Sequence, residues 1–164
     1  MRINKRRRRE SKTDYLKRLK ILKGNFPRIV FRKTNKYVFA QYVTSREAQD
    51  KIEFGIDSKK LLEYGWPKEA SGSLKSITAS YFLGLLTGEK IIEKKLKIPI
   101  IDFGMIRAVP KSKIYAFLKG LIDAGIKMKC KEEVFPGEER IKGKHMKNKI
   151  LFERIKQNIE KNEK

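Results

Sequence analysis

The feature that most constrains the fold is a pair of short segments separated by a polar turn. RIVFRK at 28–33 and KYVFAQYV at 36–43 are rich in β-branched and aromatic residues, a composition typical of strands. TNK at 34–36 lies between them, and Asn35 tolerates the left-handed conformation that such a turn can require. We therefore predict an antiparallel hairpin over 28–43, on which the rest of the domain must be built.

The segments that follow the hairpin predict an α/β fold class. KIEFGID at 51–57 alternates as a third strand, and IPIIDFG at 98–104 is predicted to be a fourth. Amphipathic helices are predicted over 77–97, with a possible break near Gly88, and over 113–125. Because the fourth strand follows a helix, it should lie parallel to a neighbour through a right-handed crossover. The result is a mixed sheet with helices packed against it.

Two further helices are predicted outside this body. The first covers 12–23, with Ser11 or Thr13 as its cap and Gly24 at its end. Its apolar residues fall at helical spacing, and we expect the domain to cover them: Tyr15, Leu16, Leu19 and Leu22. The second lies at roughly 144–161, and its apolar residues are Ile150, Leu151, Ile155 and Ile159.

The 164 residues fit one domain with extensions. We divide the chain into a basic arm and helix (1–25), an α/β body (26–130), and a C-terminal turn with an amphipathic helix (131–164). Residues 1–10 show no apolar periodicity, so they should be disordered without a partner.

The charge predicts a polyanionic partner. Lys and Arg number 41 and Asp and Glu 19, which gives a net charge of +22. Repulsion among these positive charges disfavours the compact state of the free protein. No secretory signal is expected, and the longest uncharged run, 76–88, is too short to span a bilayer. Membrane-surface binding is disfavoured if the body covers the helix at 12–23. Cys130 is the single cysteine, which excludes an intramolecular disulfide and fits a reducing compartment.

The residues that could carry catalysis do not form a recognisable site. DFG at 102–104 lacks the other parts of a kinase and is interpreted as an Asp-x-Gly turn. His145 is the single histidine, so it cannot build a zinc site of usual composition. A two-metal nuclease would need carboxylates to meet, and the candidates are Asp57, Glu63, Asp102 and Asp123. We predict no catalytic residue, metal or cofactor, with a metal-dependent RNase H-like nuclease as the alternative.

Three basic groups predict RNA binding. Arg6 to Arg9 continue into the basic face of the helix at 12–23. The hairpin tip combines charge with hydrogen-bonding side chains, a mixture suited to phosphate, 2′-OH and bases: Arg32, Lys33, Thr34, Asn35 and Lys36. PKSK at 110–113 begins a helix, where free N–H groups favour phosphate. Phe31 and Phe39 are expected in the core.

Several motifs carry a resemblance to a known family. They run in order along residues 6–146: RRRRESKTDYLKRLKILKGNFPRIVFRKTNKYVFAQYV, EYGWPK, TASYFLGLLTGEK, IIDFGMIRAVPKSKIYAFLKGLIDAGI and VFPGEERIKGKHM. Together they resemble the universal large-subunit ribosomal protein number eighteen in its archaeal form, whose eukaryotic counterpart carries the number five. The connection SREAQDKIEFG and the basic C-terminal helix differ from the family's usual pattern.

The resemblance implies a non-catalytic, cytoplasmic ribosomal protein that binds 5S rRNA in the central protuberance. Its partners would be 5S rRNA, large-subunit rRNA and neighbouring central-protuberance proteins, with no membrane and no cofactor. It also implies an RNase H-like architecture, as in other components of the translational machinery. The residues that match the family's RNA contacts are Arg6, Arg7, Arg8, Arg9, Lys12, Tyr15, Arg18, Arg32, Lys33, Thr34, Asn35, Lys36, Lys111 and Ser112. A generic basic RNA chaperone is a further alternative.

Overall fold

The fold is built on a four-stranded mixed sheet. The computed structural model describes residues 3–47, 49–146 and 151–161. Its strands are β1 (Arg28–Lys33), β2 (Val38–Arg46), β3 (Gln49–Asp57) and β4 (Ile100–Asp102). They lie in the order β3-β2-β1-β4; β1 and β3 pair antiparallel with β2, and β4 pairs parallel with β1. The predicted α/β class, hairpin and parallel fourth strand are confirmed.

Helices flank the sheet and extend the chain at both ends. The α-helices within the described residues are α1 (Arg6–Arg9), α2 (Tyr15–Lys23), α3 (Ile77–Glu93), α4 (Lys113–Asp123), α5 (Glu138–Ile141) and α6 (Phe152–Lys161). Shorter 3-10 turns cover Ser58–Leu62, Lys68–Ser73 and Glu132–Val134. None of the described helices is long and apolar enough to cross a membrane.

The core lies between one face of the sheet and α3 with α4. Period-2 alternation along β1 and β2 places Ile29, Phe31 and Tyr42 on that face, where each is at most 1% exposed. Every residue of α3 from 78 to 88 is buried, so this part of the helix is enclosed by the protein around its whole circumference. The predicted break near Gly88 is absent: α3 is continuous and ends at Glu93.

Two glycines allow α3 and α4 to approach closely. A Cβ atom added at Gly84 would overlap the carbonyl oxygen of Phe117, and one at Gly120 would overlap that of Tyr81. Because the opposing atoms are backbone, the helices would have to move apart to accept either methyl group.

We therefore expect Gly84→Ala to destabilise the protein by about 2 kcal/mol, because overpacking outweighs the better helix propensity of alanine. Urea unfolding measures the change. Gly72→Ala is the matched control, since no atom lies within 4 Å of its added Cβ, and it should change stability by less than about 0.5 kcal/mol. Equal stability of the two variants would show that the helices tolerate wider spacing.

Both predicted terminal segments differ in detail from the structure. Arg6–Arg9 forms one helical turn within the segment expected to be disordered; arginine is a good helix former, and Glu10 lies 3.8 Å from Arg6 at the favourable i,i+4 spacing. At the other end, α6 begins at Phe152 rather than near 144, and the short helix α5 was not predicted. Ile155 and Ile159 are buried as expected, Leu151 is exposed, and Ile150 lies outside the described residues.

The start of α2 was predicted one turn too early, whereas its predicted end at residue 23 is confirmed. Asp14, not Ser11 or Thr13, caps the helix: its carboxylate accepts the N–H groups of Leu16 and Lys17 at 3.1 and 3.2 Å. These hydrogen bonds hold the pKa of Asp14 below its usual range, together with the charge of Arg8 and against the effect of burial. At the C-terminal end Asn25, with φ of 50°, adopts the left-handed conformation that ends the helix, while Gly24 stays right-handed.

The expectation that the body covers the apolar face of α2 is wrong. Leu16 is 74% exposed and Leu19 is 52% exposed, and no residue of the helix is buried. Ile21 and Leu22 are half-buried instead. Thus α2 exposes leucines as well as lysines to solvent. Membrane-surface binding was disfavoured on the condition that the body covers this helix, and that condition is not met.

Candidate nucleic-acid interface

The N-terminal arm is held against the loop that follows β4. The guanidinium of Arg8 lies 3.6 Å from the sulfur of Met105, and the ammonium of Lys17 donates to the carbonyl of Gly104 at 3.4 Å. Arg8 also lies 3.4 Å from Asp14. These exposed contacts give the arm an orientation while leaving its side chains open to solvent.

The other predicted arm residues differ in how much of their charge is free. Arg7 donates to the hydroxyl of Thr13 at 3.0 Å, and Lys12 pairs with Glu10 at 2.7 Å. Tyr15 is 37% exposed, with the ammonium of Lys5 5.0 Å from its ring centroid. Arg9 makes no ion pair with any residue that the structure describes. The arm therefore keeps a net positive surface.

Arg18 is engaged by the sheet. Its guanidinium lies 2.9 Å from the carboxylate of Asp50 on β3, which also accepts from Arg28 at 2.6 Å and from the hydroxyl of Ser45 at 2.7 Å. Burial raises the pKa of Asp50, but the hydrogen bonds from Ser45 and Arg18 and the charge of Arg28 outweigh it and hold the pKa below its usual range. Arg18 thus fixes α2 to the sheet, and its contact with RNA stays a prediction.

Arg32 connects the hairpin to β4. Its guanidinium donates to the carbonyls of Phe31 and Asp102, both at 2.8 Å, and lies 3.3 Å from the carboxylate of Asp102. The same carboxylate accepts the N–H of Gly104 at 2.7 Å, and Gly104 has φ of 61°. This is the predicted Asp-x-Gly turn. Arg32 therefore supports the loop on which the arm rests, and its side chain is 34% exposed.

The hairpin tip is closed by Thr34 and leaves Asn35 free. The Thr34 hydroxyl accepts the N–H of Tyr37 and donates to its carbonyl, both at 2.9 Å, and the Thr34 N–H donates to that carbonyl at 2.8 Å. Asn35 is absent from the residues with positive φ, so the left-handed role considered for it is wrong. Its exposed side chain makes no hydrogen bond to the described part of the chain, and Lys33 and Lys36 beside it are also exposed.

Of the two phenylalanines expected in the core, only Phe31 lies there. Phe31 is 1% exposed and packs on Phe117 with ring centroids 4.8 Å apart, whereas Phe39 is half-buried and lies outside the core cluster. With Tyr37 it lines an open groove of about 440 Å³ beside the hairpin tip. Alternation along the strand could have shown this from the sequence. Val38, Ala40 and Tyr42 are all buried, so Phe39 between them faces the other side of the sheet.

The predicted patch at the start of α4 is ordered by its own backbone. Lys111 has φ of 58° and donates its N–H to the carbonyl of Val134 at 2.8 Å. Ser112 occupies the cap position, yet its hydroxyl makes no hydrogen bond to the helix. The structure brings Lys33 from β1 to this patch, which includes Lys113, together with cations that the sequence did not single out: Arg107 and Arg140.

The four carboxylates considered for a nuclease do not meet. Asp57 accepts the N–H of Lys59 at 2.9 Å as a cap, and Asp102 is held by Arg32 and Gly104. Asp123 accepts from the Tyr81 hydroxyl at 2.9 Å, which is one cause of the raised Tyr81 pKa after burial. Among the residues in 3–47, 49–146 and 151–161, no group of three or more His, Cys, Asp or Glu could hold a metal ion.

Comparison with known proteins gives consistent matches. The family model for ribosomal large subunit proteins 60S L5 and 50S L18 matches residues 1–98. The chain is 39% identical over 141 residues to large ribosomal subunit protein uL18 of Korarchaeum cryptofilum, covering 86% of this chain and 70% of that protein. It is 36% identical over 141 residues to uL18 of Methanoregula boonei, covering 86% and 79%. With uL18 of Aeropyrum pernix it shares 34% identity over 146 residues, covering 88% and 66%.

Proposed function

The chain belongs to the family of large-subunit ribosomal proteins 60S L5 and 50S L18, and from this premise we propose that it binds 5S rRNA and helps to anchor it in the central protuberance. As a member of that family it is a structural component of the large ribosomal subunit in the cytoplasm, not an enzyme. Large-subunit rRNA and neighbouring central-protuberance proteins are its further proposed partners, and RNase H-like is its proposed architecture.

The arrangement of three basic groups on neighbouring elements is the observation that best supports this proposal. The arm rests on the loop after β4 through Arg8 and Lys17. Arg32 joins that loop to β1, and Lys33, the next residue, borders the patch at the start of α4. Three groups that are far apart in sequence thus lie on elements that contact one another, as binding to phosphates on several strands of a folded RNA requires.

The surface also offers more than charge. Asn35 carries a free amide at the hairpin tip, and Tyr37 and Phe39 provide aromatic area beside it. Such groups can contact a 2′-OH or an unstacked base, which a lipid surface does not offer. Together with the family, this composition favours RNA over a membrane despite the exposed leucines of α2.

Affinity and salt dependence test the proposal directly. We expect tight binding of 5S rRNA with a log–log salt slope of about −6 to −7, from a footprint of about eight phosphates and ~0.7–0.9 per phosphate. A gel-shift titration at several salt concentrations measures both quantities, with transfer RNA as the competitor. Equal affinity for transfer RNA would indicate a generic RNA chaperone, and a slope near zero would exclude phosphate binding as the driving force. RNA cleavage that requires Mg²⁺ would support the nuclease instead.

Asn35 and Arg7 should affect binding in different ways. We expect Asn35→Ala to weaken 5S rRNA binding by about 1–3 kcal/mol at an unchanged salt slope, because an amide reads a base edge or 2′-OH without releasing counterions. Arg7→Ala should weaken binding to every RNA and reduce the slope by about 0.7–0.9.

The unfolding temperature of the free protein is the control for Asn35. Because Thr34 closes the turn and Asn35 does not have a positive φ, neither Asn35→Ala nor Asn35→Gly should change it much. If Asn35→Gly binds 5S rRNA as well as the wild type, Asn35 makes no contact and the proposal for this residue is wrong.

A further inference from the structure

A cavity of about 390 Å³ lies beside the start of α4. It is bordered by the end of β1, the loop over residues 106–112 and α5, and five of its lining residues are cations: Lys33, Arg107, Lys111, Lys113 and Arg140. No acidic side chain from the described part of the chain lines it. Its volume is within the range of pockets that hold small ligands.

The five cations are uncompensated within the protein. None of them forms an ion pair with a residue in the described ranges. Burial together with the charges of Lys33 and Lys75 lowers the pKa of Lys113. The surroundings of Lys113 therefore disfavour its charged form. Like charges gathered around one space without a counter-charge indicate that an anion normally occupies it.

The backbone at this end of α4 also lacks its usual partner. Ser112 has the extended conformation of a cap, with φ of −90° and ψ of 179°, but no side-chain cap bond forms. Its hydroxyl oxygen is buried without a hydrogen-bond partner among the residues described. The first N–H groups of the 11-residue helix α4 therefore receive no side-chain acceptor, and an anion can supply one.

Apolar side chains form another part of the cavity wall. Ile77, Ile106 and Val109 line it, and Val109 is 49% exposed. A free phosphate ion would make no use of this wall. A nucleotide combines the two chemistries, because its phosphate is anionic and its base presents an apolar face.

We propose that this cavity binds one nucleotide of the RNA, with its phosphate on Lys111, Lys113 and Arg140 and its base or ribose against Val109 and Ile106. The inference rests on the proposed function and specifies a second RNA contact, in which most of the participating residues were not predicted from the sequence. Lys33 links the cavity to the hairpin tip, so a single RNA strand can pass from one to the other.

Salt-dependent binding of 5S rRNA by the full-length chain tests the phosphate contact. Lys113→Gln should weaken binding about 10-fold and reduce the log–log slope by less than about 0.7–0.9, the value for one whole phosphate, because Lys111 and Arg140 still neutralise the shared phosphate. Arg140→Gln should do the same. The double variant should lose more slope than either single one, up to the value for one phosphate. A loss of about 0.7–0.9 in each single variant and of twice that in the double variant would show that the cations hold separate phosphates, and would overturn the proposal.

Two further variants complete the experiment. Val109→Ser should weaken binding at an unchanged slope, since it removes apolar contact and no charge; wild-type affinity would exclude the base or ribose from this wall. Lys129→Gln is the matched control, because Lys129 is exposed and lies outside the cavity lining, and it should bind within about twofold of wild type. If Lys113→Gln and Arg140→Gln bind like this control, the cavity is not an RNA site.

The free protein supplies an independent readout. Lys113→Gln should raise its unfolding temperature, because one of five mutually repelling charges is removed; a marked fall would mean that Lys113 is structural and would overturn the proposal. Inorganic phosphate at 1 mM should leave the wild-type temperature unchanged. A rise with phosphate that Lys113→Gln abolishes would assign the cavity to a free anion instead. Failure of the wild type to bind 5S rRNA at all would count against the proposed function itself.

Discussion

Removal of residues 1–10 should weaken binding to 5S rRNA about 10²- to 10³-fold near 0.1 M salt and reduce the log–log slope by about 3, because Arg6 to Arg9 would each neutralise about one phosphate. The same deletion should change the unfolding temperature of the free protein little. Ile3 is 80% exposed and no residue of α1 is buried. Among the described residues, the polar contact of residues 3–10 with the body is that of Arg8 with Met105, while Asp14, which Arg8 also approaches, belongs to the arm and helix.

A charge-preserving variant separates the positive charge of the arginines from their hydrogen bonding. Replacing Arg6 to Arg9 by lysine keeps the charge, so the slope should stay near that of the wild type, while any loss of affinity reports the forked guanidinium hydrogen bonds. An unchanged slope after deletion of residues 1–10 would show that the arm does not reach the RNA. A large fall in unfolding temperature would show that it packs on the body.

Asp50→Asn should destabilise the free protein by about 2–3 kcal/mol. Arg28, whose side chain is 3% exposed, would be left in the interior without its counter-charge, and its Nε already has no hydrogen-bond partner among the described residues. The expected loss lies at the lower end for a broken buried ion pair, because Asp50 itself is 32% exposed and partly screened by water. Urea unfolding at neutral pH measures it.

The pH dependence identifies the cause of that loss. Since the pKa of Asp50 is lowered in the folded protein, its contribution is present in full above the ordinary value of 3.8 and is lost as the pH falls through the folded value. The difference between wild type and Asp50→Asn should therefore shrink below pH 3.8. Glu53→Gln on the same strand is the control, because Glu53 pairs with the 76% exposed Lys51, and its effect should be much smaller. A difference that persists unchanged in acid would exclude the carboxylate charge as its origin.

Replacement of Asp50 should also weaken RNA binding. Asp50 holds Arg18, and through it α2, against the sheet, so its replacement frees α2 while leaving every cation of the arm in place. We expect weaker binding of 5S rRNA with little change in salt slope. This is the opposite pattern to that of Arg7→Ala, in which a charge is removed and the position of α2 is retained.

Local sequence determined the elements whose residues carry their own structural signal. The bounds of β1 were predicted without error because β-branched and aromatic residues alternate there up to a polar turn. The start of α4 at Lys113 and the turn from Asp102 to Gly104 were equally clear, since each depends on residues within one turn of the chain. The net charge of +22 predicted a polyanionic partner, because charge adds up regardless of the fold.

Only the tertiary structure decided where those elements lie and which charges remain free. Helical spacing in α2 groups Leu16 with Leu19, but whether the body covers them depends on the distant contacts of Arg18 and Lys17. The predicted cations likewise divide into two sets: Arg18 and Arg32 are held by Asp50 and Asp102, whereas Lys33 and Lys111 have no such partner among the described residues. A cation looks the same in sequence in both cases. Its electrostatic role is set by which carboxylates folding brings within a few ångströms, and those lie tens of residues away along the chain.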